Sequence, residues 1–335
     1  MNRRQFVKST GHVTGAFSLA PFVNVNRYRL FASSQTQYSA RAIEVVARAT
    51  VMDMLCTFQD GPTTWIRDPD SFTQSDWQRF KDSGITVINT GPALSGGFEA
   101  CVVFLARWNG FIATTDDWLM RVDGTRDLQL AKESGKLGVI LGLQNSDHFS
   151  EPDDVDFFYS LGQRVSQLTY NHRNLIGNGC LERRDDGISD FGITIIERMN
   201  ELGMAVDVSH CGDRTTLDAF ELSSRPVLIT HSNCRALTPD HPRCKTDEVI
   251  RRVGDTGSVF GITHARNFTT NAEPTTIEDV LNHFDLCAVS SGVITSELVV
   301  TRVWMAKTSC RPTCELEYER RTSMRGIPDM GSATG

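Results

Sequence analysis

The stretch 190-DFGITIIERMNELGMAVDVSHCGDRTTLDAFELSSRPVLITHS-232 decides the fold. Two textures alternate within it. Residues 190–202 and 215–222 carry apolar side chains at helical spacing, whereas 204–208 and 227–230 are short aliphatic runs that suit strands. Asp190 stands where a helix cap is wanted, and Gly203 stands where a left-handed C-cap is wanted. Each aliphatic run ends on a histidine, His210 and His231. Helices that alternate with strands imply parallel strands joined by helical crossovers.

The same rhythm extends in both directions. Further strands are predicted at 49–55, 85–90, 137–143, 165–170 and 258–263, with helices at 71–82, 98–112, 125–134 and 247–253. That makes seven strands; eight would close a barrel. The C-terminal strand ends read Asp53, Asn89, Gln144, Tyr170 with Asn171, His210, His231 and His264. Polar groups gathered at that edge suit the mouth of a (β/α)8 TIM-type barrel, where strand ends converge. A doubly wound open sheet also binds ligands there, but no glycine-rich phosphate loop follows the first strand. The fold class expected is therefore α/β, a (β/α)8 barrel whose C-terminal closure is left open.

Composition narrows the classes. The chain has 335 residues, 40% hydrophobic and 22% charged, which suits a globular protein with a full-sized core. The formal net charge of −7, without a basic stripe, argues against nucleic acid as a partner. No apolar run is long enough for a membrane span, which needs roughly 20 residues. The nine cysteines are scattered, and Cys310 with Cys314 is the one close pair, so most are read as small core residues.

The N-terminus, 1-MNRRQFVKSTGHVTGAFSLAPFV-23, pairs Arg3 with Arg4 and continues through Phe6 and Lys8 into a mildly apolar segment. It fits a twin-arginine export signal, an address rather than part of the fold. The expected division is a signal and linker over 1–35, a barrel over 40–300 and an irregular tail over 301–335, with a periplasmic or secreted location.

Two histidines at equivalent ends of consecutive strands suit a shared metal, because neutral imidazole is the commonest biological ligand. Four separated motifs add to this: 168-LTYNHRNLIGNG-179, 187-GISDFGITIIERMNELGMAVDVSH-210, 226-PVLITHSNCRAL-237 and 241-HPRCKTDEVIRRV-253. Together they resemble the membrane (renal) dipeptidase family, and 276-TIEDVLNHFD-285 resembles the helix before that family's last strand. The resemblance implies a metallohydrolase barrel holding two zinc ions, with hydroxide attacking the amide of a dipeptide or related small amide. It also implies that His210 and His231 are metal ligands and that Arg243 holds the substrate carboxylate, a role suited to a planar guanidinium.

The chain departs from the family pattern at definite places. In 51-VMDMLCT-57, Leu55 and Thr57 stand where the family has a histidine and an aspartate, leaving Asp53 nearby. Gln144 replaces the bridging glutamate, and Tyr170 replaces a substrate-side histidine while keeping a hydrogen-bond donor for an oxyanion. Residues 293–301 suit an eighth strand but do not end on the family's catalytic aspartate.

Asp207 is expected to orient His210 from behind, and His264 to offer itself to a metal vacancy. His148 and His172 are expected in solvated loops. The leading expectation is an exported metallodipeptidase-like hydrolase, with zinc held by His210 and His231, Gln144 or Asp53 completing the shell, and Gln144 and Tyr170 beside the reacting amide. A homodimer is allowed for. The competing expectation is a barrel that keeps its pocket but binds small molecules without hydrolysis.

Overall fold

A computed structural model describes residues 39–56, 65–94, 97–291 and 300–301. They belong to two units that divide after Ala49. The first contributes helix α1 (Ala40–Arg48), capped by the Ser39 hydroxyl, with every residue exposed. The segment read as an export signal and the C-terminal tail from 302 on lie outside the described residues.

The second unit is a parallel sheet dressed with helices. Its elements run β1 (Met52–Asp53), α2 (Gln74–Ser83), β2 (Val87–Asn89), α3 (Gly97–Thr114), β3 (Leu119–Arg121), α4 (Thr125–Ser134), β4 (Leu137–Leu143), α5 (Pro152–Ser160) and β5 (Gln163–Gln167). They continue with α6 (Asp190–Leu202), β6 (Ala205–Asp207), α7 (Asp213–Leu222), β7 (Leu228–Ser232), α8 (Asp247–Asp255), β8 (Val259–Thr263), α9 (Arg266–Thr269), α10 (Ile277–Ser291) and β9 (Val300–Thr301). The strand order is β1-β2-β4-β5-β6-β7-β8-β9 with β3 also on β4, and every pairing is parallel. Cα atoms of β1 and β9 approach within 8 Å, so the sheet curls until its two ends meet. This is the curled α/β barrel architecture that the strand–helix alternation predicted.

Local signals explain the elements. The Ser189 hydroxyl, not Asp190, caps α6 by accepting from Gly192 N, and Gly203 ends that helix at φ 83°. Asp190 instead occupies the first turn, where a carboxylate suits the helix dipole. Strand alternation sorts the core. Ile88, Val139, Leu141, Val206, Val208 and Ile229 join the main cluster with α3 and α6 residues, while Val87, Ile140 and Val165 gather in a second. Gly142 lets Asn89 lie across β4, since a Cβ there would stand 2.3 Å from Asn89 Oδ1.

Several elements differ from the sequence reading, among them the helices α1 and α9, which it did not include. β3 is three residues long and contains Arg121, too short and too polar to register as a period-2 pattern. α5 begins on Pro152 with Asp154 closing its first turn, and its acidic start obscured the apolar face of Val155 and Phe158. The fifth strand ends at Gln167, so Tyr170 and Asn171 lie in the loop that follows it. Of the predicted eighth strand, only Val300–Thr301 is described, and it pairs with Ile262 and Thr263.

Candidate active site

His210 follows β6 and His231 lies within β7. Their Nε2 atoms are 3.0 Å apart, and both rings are almost fully buried. The contacts behind the rings set the protonation. His210 Nδ1 lies 2.8 Å from Asn171 Oδ1, an acceptor, so Nδ1 carries the proton. His231 Nδ1 lies 2.8 Å from Thr230 Oγ1, whose own proton goes to Asp207 Oδ2 at 2.8 Å. Nδ1 of His231 is therefore the donor as well. Both Nε2 atoms then face each other as bare lone pairs.

Burial, followed by the neighbouring Arg243 cation, holds both imidazoles well below their ordinary pKa. A proton shared between the two Nε2 atoms is thus disfavoured near neutral pH. Two neutral donors converging at this separation suit one metal ion, whose bonds to imidazole nitrogen run about 2.0–2.1 Å. Tyr170 stacks on His210, with ring centroids 4.2 Å apart and planes 22° apart.

Asp207 serves the other histidine from the one expected. Its Oδ1 accepts from Ser209 N (3.0 Å), Ser209 Oγ (2.6 Å) and Thr230 N (3.2 Å), and it reaches His231 through the Thr230 hydroxyl. Asn171 fills the orienting role for His210. Burial raises the Asp207 pKa, while the Ser209 and Thr230 hydrogen bonds oppose that rise.

Arg243 is buried and uses both terminal nitrogens on backbone carbonyls. Nη1 donates to Ser209 O and Nη2 to His231 O at 2.6 Å, and Phe268 lies 5.5 Å from the guanidinium. Nε has no hydrogen-bond partner. The guanidinium thus ties the two histidine-bearing segments together. Lys245 does the same beneath them, donating to Val208 O (2.7 Å), Cys211 O (2.9 Å) and Thr216 Oγ1 (3.0 Å). Burial pushes its pKa down to about 8. No local pattern in 241-HPRCKTD-247 marked that lysine as buried.

The remaining family positions come together without ligating chemistry. Gln144 donates through Nε2 to Gly91 O, and its backbone carbonyl accepts from Gln167 Nε2. A Cβ placed on Gly91 would meet Leu55 Cδ1 at 2.6 Å and Gln144 Cγ at 3.6 Å. The two strands therefore do converge where the resemblance places a histidine and a glutamate, but present a methyl and an amide. Thr57 lies outside the described residues.

Asp53 is buried and accepts from Leu55 N at 3.0 Å. Among the described residues, no group of three or more His, Cys, Asp or Glu side chains is placed to hold a metal. Asp53 and His264 therefore do not join the histidine pair, and His264 is exposed just after β8. His172 is exposed 3.4 Å from Glu182, as expected of a loop. His148 is the exception: it is 2% exposed, packs on Phe149 and Phe158, and meets Gln163 Oε1 at 3.1 Å. Burial lowers its pKa to about 4. An aspartate neighbour in the sequence concealed that aromatic packing.

The fold and site together define a curled parallel α/β barrel with a pair of buried histidines on neighbouring strands. The family model described as membrane dipeptidase (Peptidase family M19) matches residues 98–295, more than half of the chain. The chain belongs to that family. It is 33% identical over 153 residues to the dipeptidase verJ of Clonostachys rogersoniana, covering 45% of this chain and 39% of that protein. It is 32% identical over 159 residues to an uncharacterized dipeptidase of Schizosaccharomyces pombe, covering 45% and 38%. The match thus spans less than half the length of these relatives. Among solved structures, an amidohydrolase from Pseudomonas aeruginosa superposes with TM-score 0.70 at 28% identity, over 80% of this chain and 78% of that one. A probable dipeptidase from the same organism gives TM-score 0.68 at 16% identity, over 86% and 93%, a likeness of fold.

Proposed function

We propose that this chain is a dipeptidase-type hydrolase that holds one divalent ion, zinc by preference, between His210 and His231, and cleaves a small dipeptide or related amide. The observation that carries the reading is the pair of Nε2 atoms 3.0 Å apart, with Asn171 Oδ1 and Thr230 Oγ1 placed behind the rings to take the Nδ1 protons. When bound, such an ion lowers the pKa of water to around neutrality and polarises a carbonyl. The chain's own residues prepare the place. Asn171 and Thr230 keep the imidazoles in the ligating tautomer, and Arg243 and Lys245 hold the two segments in register.

Tyr170 lies over His210, where its hydroxyl is the donor for a developing oxyanion. Arg243 keeps its Nε–H without a partner, a donor available to a substrate carboxylate. Gln144 and Leu55 bring no charge to a second ion, so the reading is of one metal rather than two. Export by the twin-arginine route, which Arg3 and Arg4 support, and assembly as a homodimer are part of the same proposal.

Zinc titration of the full chain by calorimetry, paired with hydrolysis of a panel of dipeptides, tests it. The expected result is about one equivalent of zinc and zinc-dependent hydrolysis, both lost in the double variant His210→Ala, His231→Ala. Zinc uptake that survives the double substitution overturns the metal assignment. Dipeptide binding without turnover establishes the competing small-molecule binding reading instead.

A further inference from the structure

The sequence reading left the cysteines as core filler, yet two of them meet. Cys234, three residues after His231, and Cys287 in the last third of α10 stand 53 positions apart, with Sγ atoms 3.3 Å from each other. Both are free thiols. We propose that Cys234 and Cys287 are an oxidisable dithiol, forming a disulfide that staples α10 to the segment carrying Arg243 and Lys245.

The surroundings favour this pair. A disulfide bond is about 2.05 Å long, so the sulfurs need approach by only about 1.3 Å. Cys287 is partly exposed and open to an oxidant, whereas Cys234 is fully buried behind it. Cys234 is held in place by three further contacts. Its amide donates to His283 Nδ1 at 3.0 Å, its thiol points to His283 O at 3.5 Å, and its backbone pairs with Lys245. His283 Nε2 donates in turn to Thr269 O at 2.8 Å, so α9, α10 and this segment are already joined by hydrogen bonds. The covalent link would run along a contact that the fold has made.

The chemistry balances with a glutathione-type disulfide as oxidant. The Cys287 thiolate attacks one sulfur of the oxidant, whose S–S bond breaks and releases one glutathione thiolate. The Cys234 thiolate then attacks Cys287 Sγ in the mixed disulfide and expels the second glutathione. Two protein thiols are oxidised, their two protons pass to solvent or to the leaving thiolates, and one glutathione disulfide is reduced to two thiols.

Incubation of the full chain with oxidised glutathione at pH 8, followed by non-reducing peptide mapping, tests the proposal. The expected product is a peptide pair joined through Cys234 and Cys287, with a mass loss of two hydrogens and no retained glutathione. The oxidised protein should melt about 5 °C or more higher than the reduced one, because a closed loop of this length restricts the unfolded chain. Cys287→Ser keeps the fold, since that side chain is only partly buried, and should lose both the linked peptide and the shift. Glutathione retained on Cys287 alone overturns the proposal. So does Cys234 linked to Cys244 or to a cysteine of the tail, or a linked peptide of unchanged melting temperature.

Discussion

Replacing Lys245 with methionine removes a buried ammonium while keeping most of its length. The lysine has no carboxylate partner in its hydrogen bonds, only two backbone carbonyls and a threonine hydroxyl. Burial lowers its pKa from 10.5 to about 8, and Arg243 acts in the same direction. That depression corresponds to ~3 kcal/mol favouring the neutral amine in the folded state. The sign follows from proton counting. Between pH about 8 and 10.5 the unfolded chain keeps the proton and the folded chain releases it, so stability from this group rises with pH. It is fully present above 10.5 and lost as pH falls through about 8.

The methionine variant lacks this dependence, whatever it loses in hydrogen bonds. Urea unfolding of both proteins, reduced and at matched pH values from 7.5 to 10.5, isolates the difference. The wild type should gain roughly 3 kcal/mol on Lys245→Met across that window, with the gain in midpoint rather than in m. A difference that stays flat within about 0.5 kcal/mol, or that runs the other way, refutes the account of Lys245 as a desolvated cation.

Two further outcomes follow from the site. Asn171→Leu removes the acceptor that holds the His210 Nδ1 proton, so zinc affinity measured by calorimetry should fall by about 10–100-fold. An affinity within twofold of wild type would show that the ring is oriented by something else. At Gly179 a Cβ would stand 2.2 Å from Asn171 C and 2.4 Å from His172 N, both backbone atoms that no rotamer change can clear. Gly179→Ala should therefore cost about 1–3 kcal/mol in urea unfolding, and a loss below about 0.5 kcal/mol would contradict the close packing.

Much of the barrel was legible because its strands and helices are long enough to show their periods. β4 and α4 run over the predicted residues without change, and α6 differs only in its cap. What escaped was short or masked by polar residues. β3 is a three-residue strand, and α5 opens on a proline and two aspartates. The two histidines were visible because each closes an aliphatic run. Most of their supports were not, since Asn171 meets His210 across 39 positions, Ser209 reaches the His231 amide across 22 and Lys245 reaches Val208 O across 37.

The sequence by itself determined most of the order of strands and helices, the family and the paired strand-end histidines. All of these rest on periodicity and residue identity along the chain. Only the tertiary structure decided which nitrogen of each histidine is free, because that depends on Asn171 and Thr230 standing behind the rings. It alone turned Arg243 into a buried tie between two segments and showed His148, expected in a solvated loop, to be buried in aromatic packing. It also brought Cys234 to Cys287 across 53 positions. Contacts between residues far apart in the chain leave no period and no spacing to read.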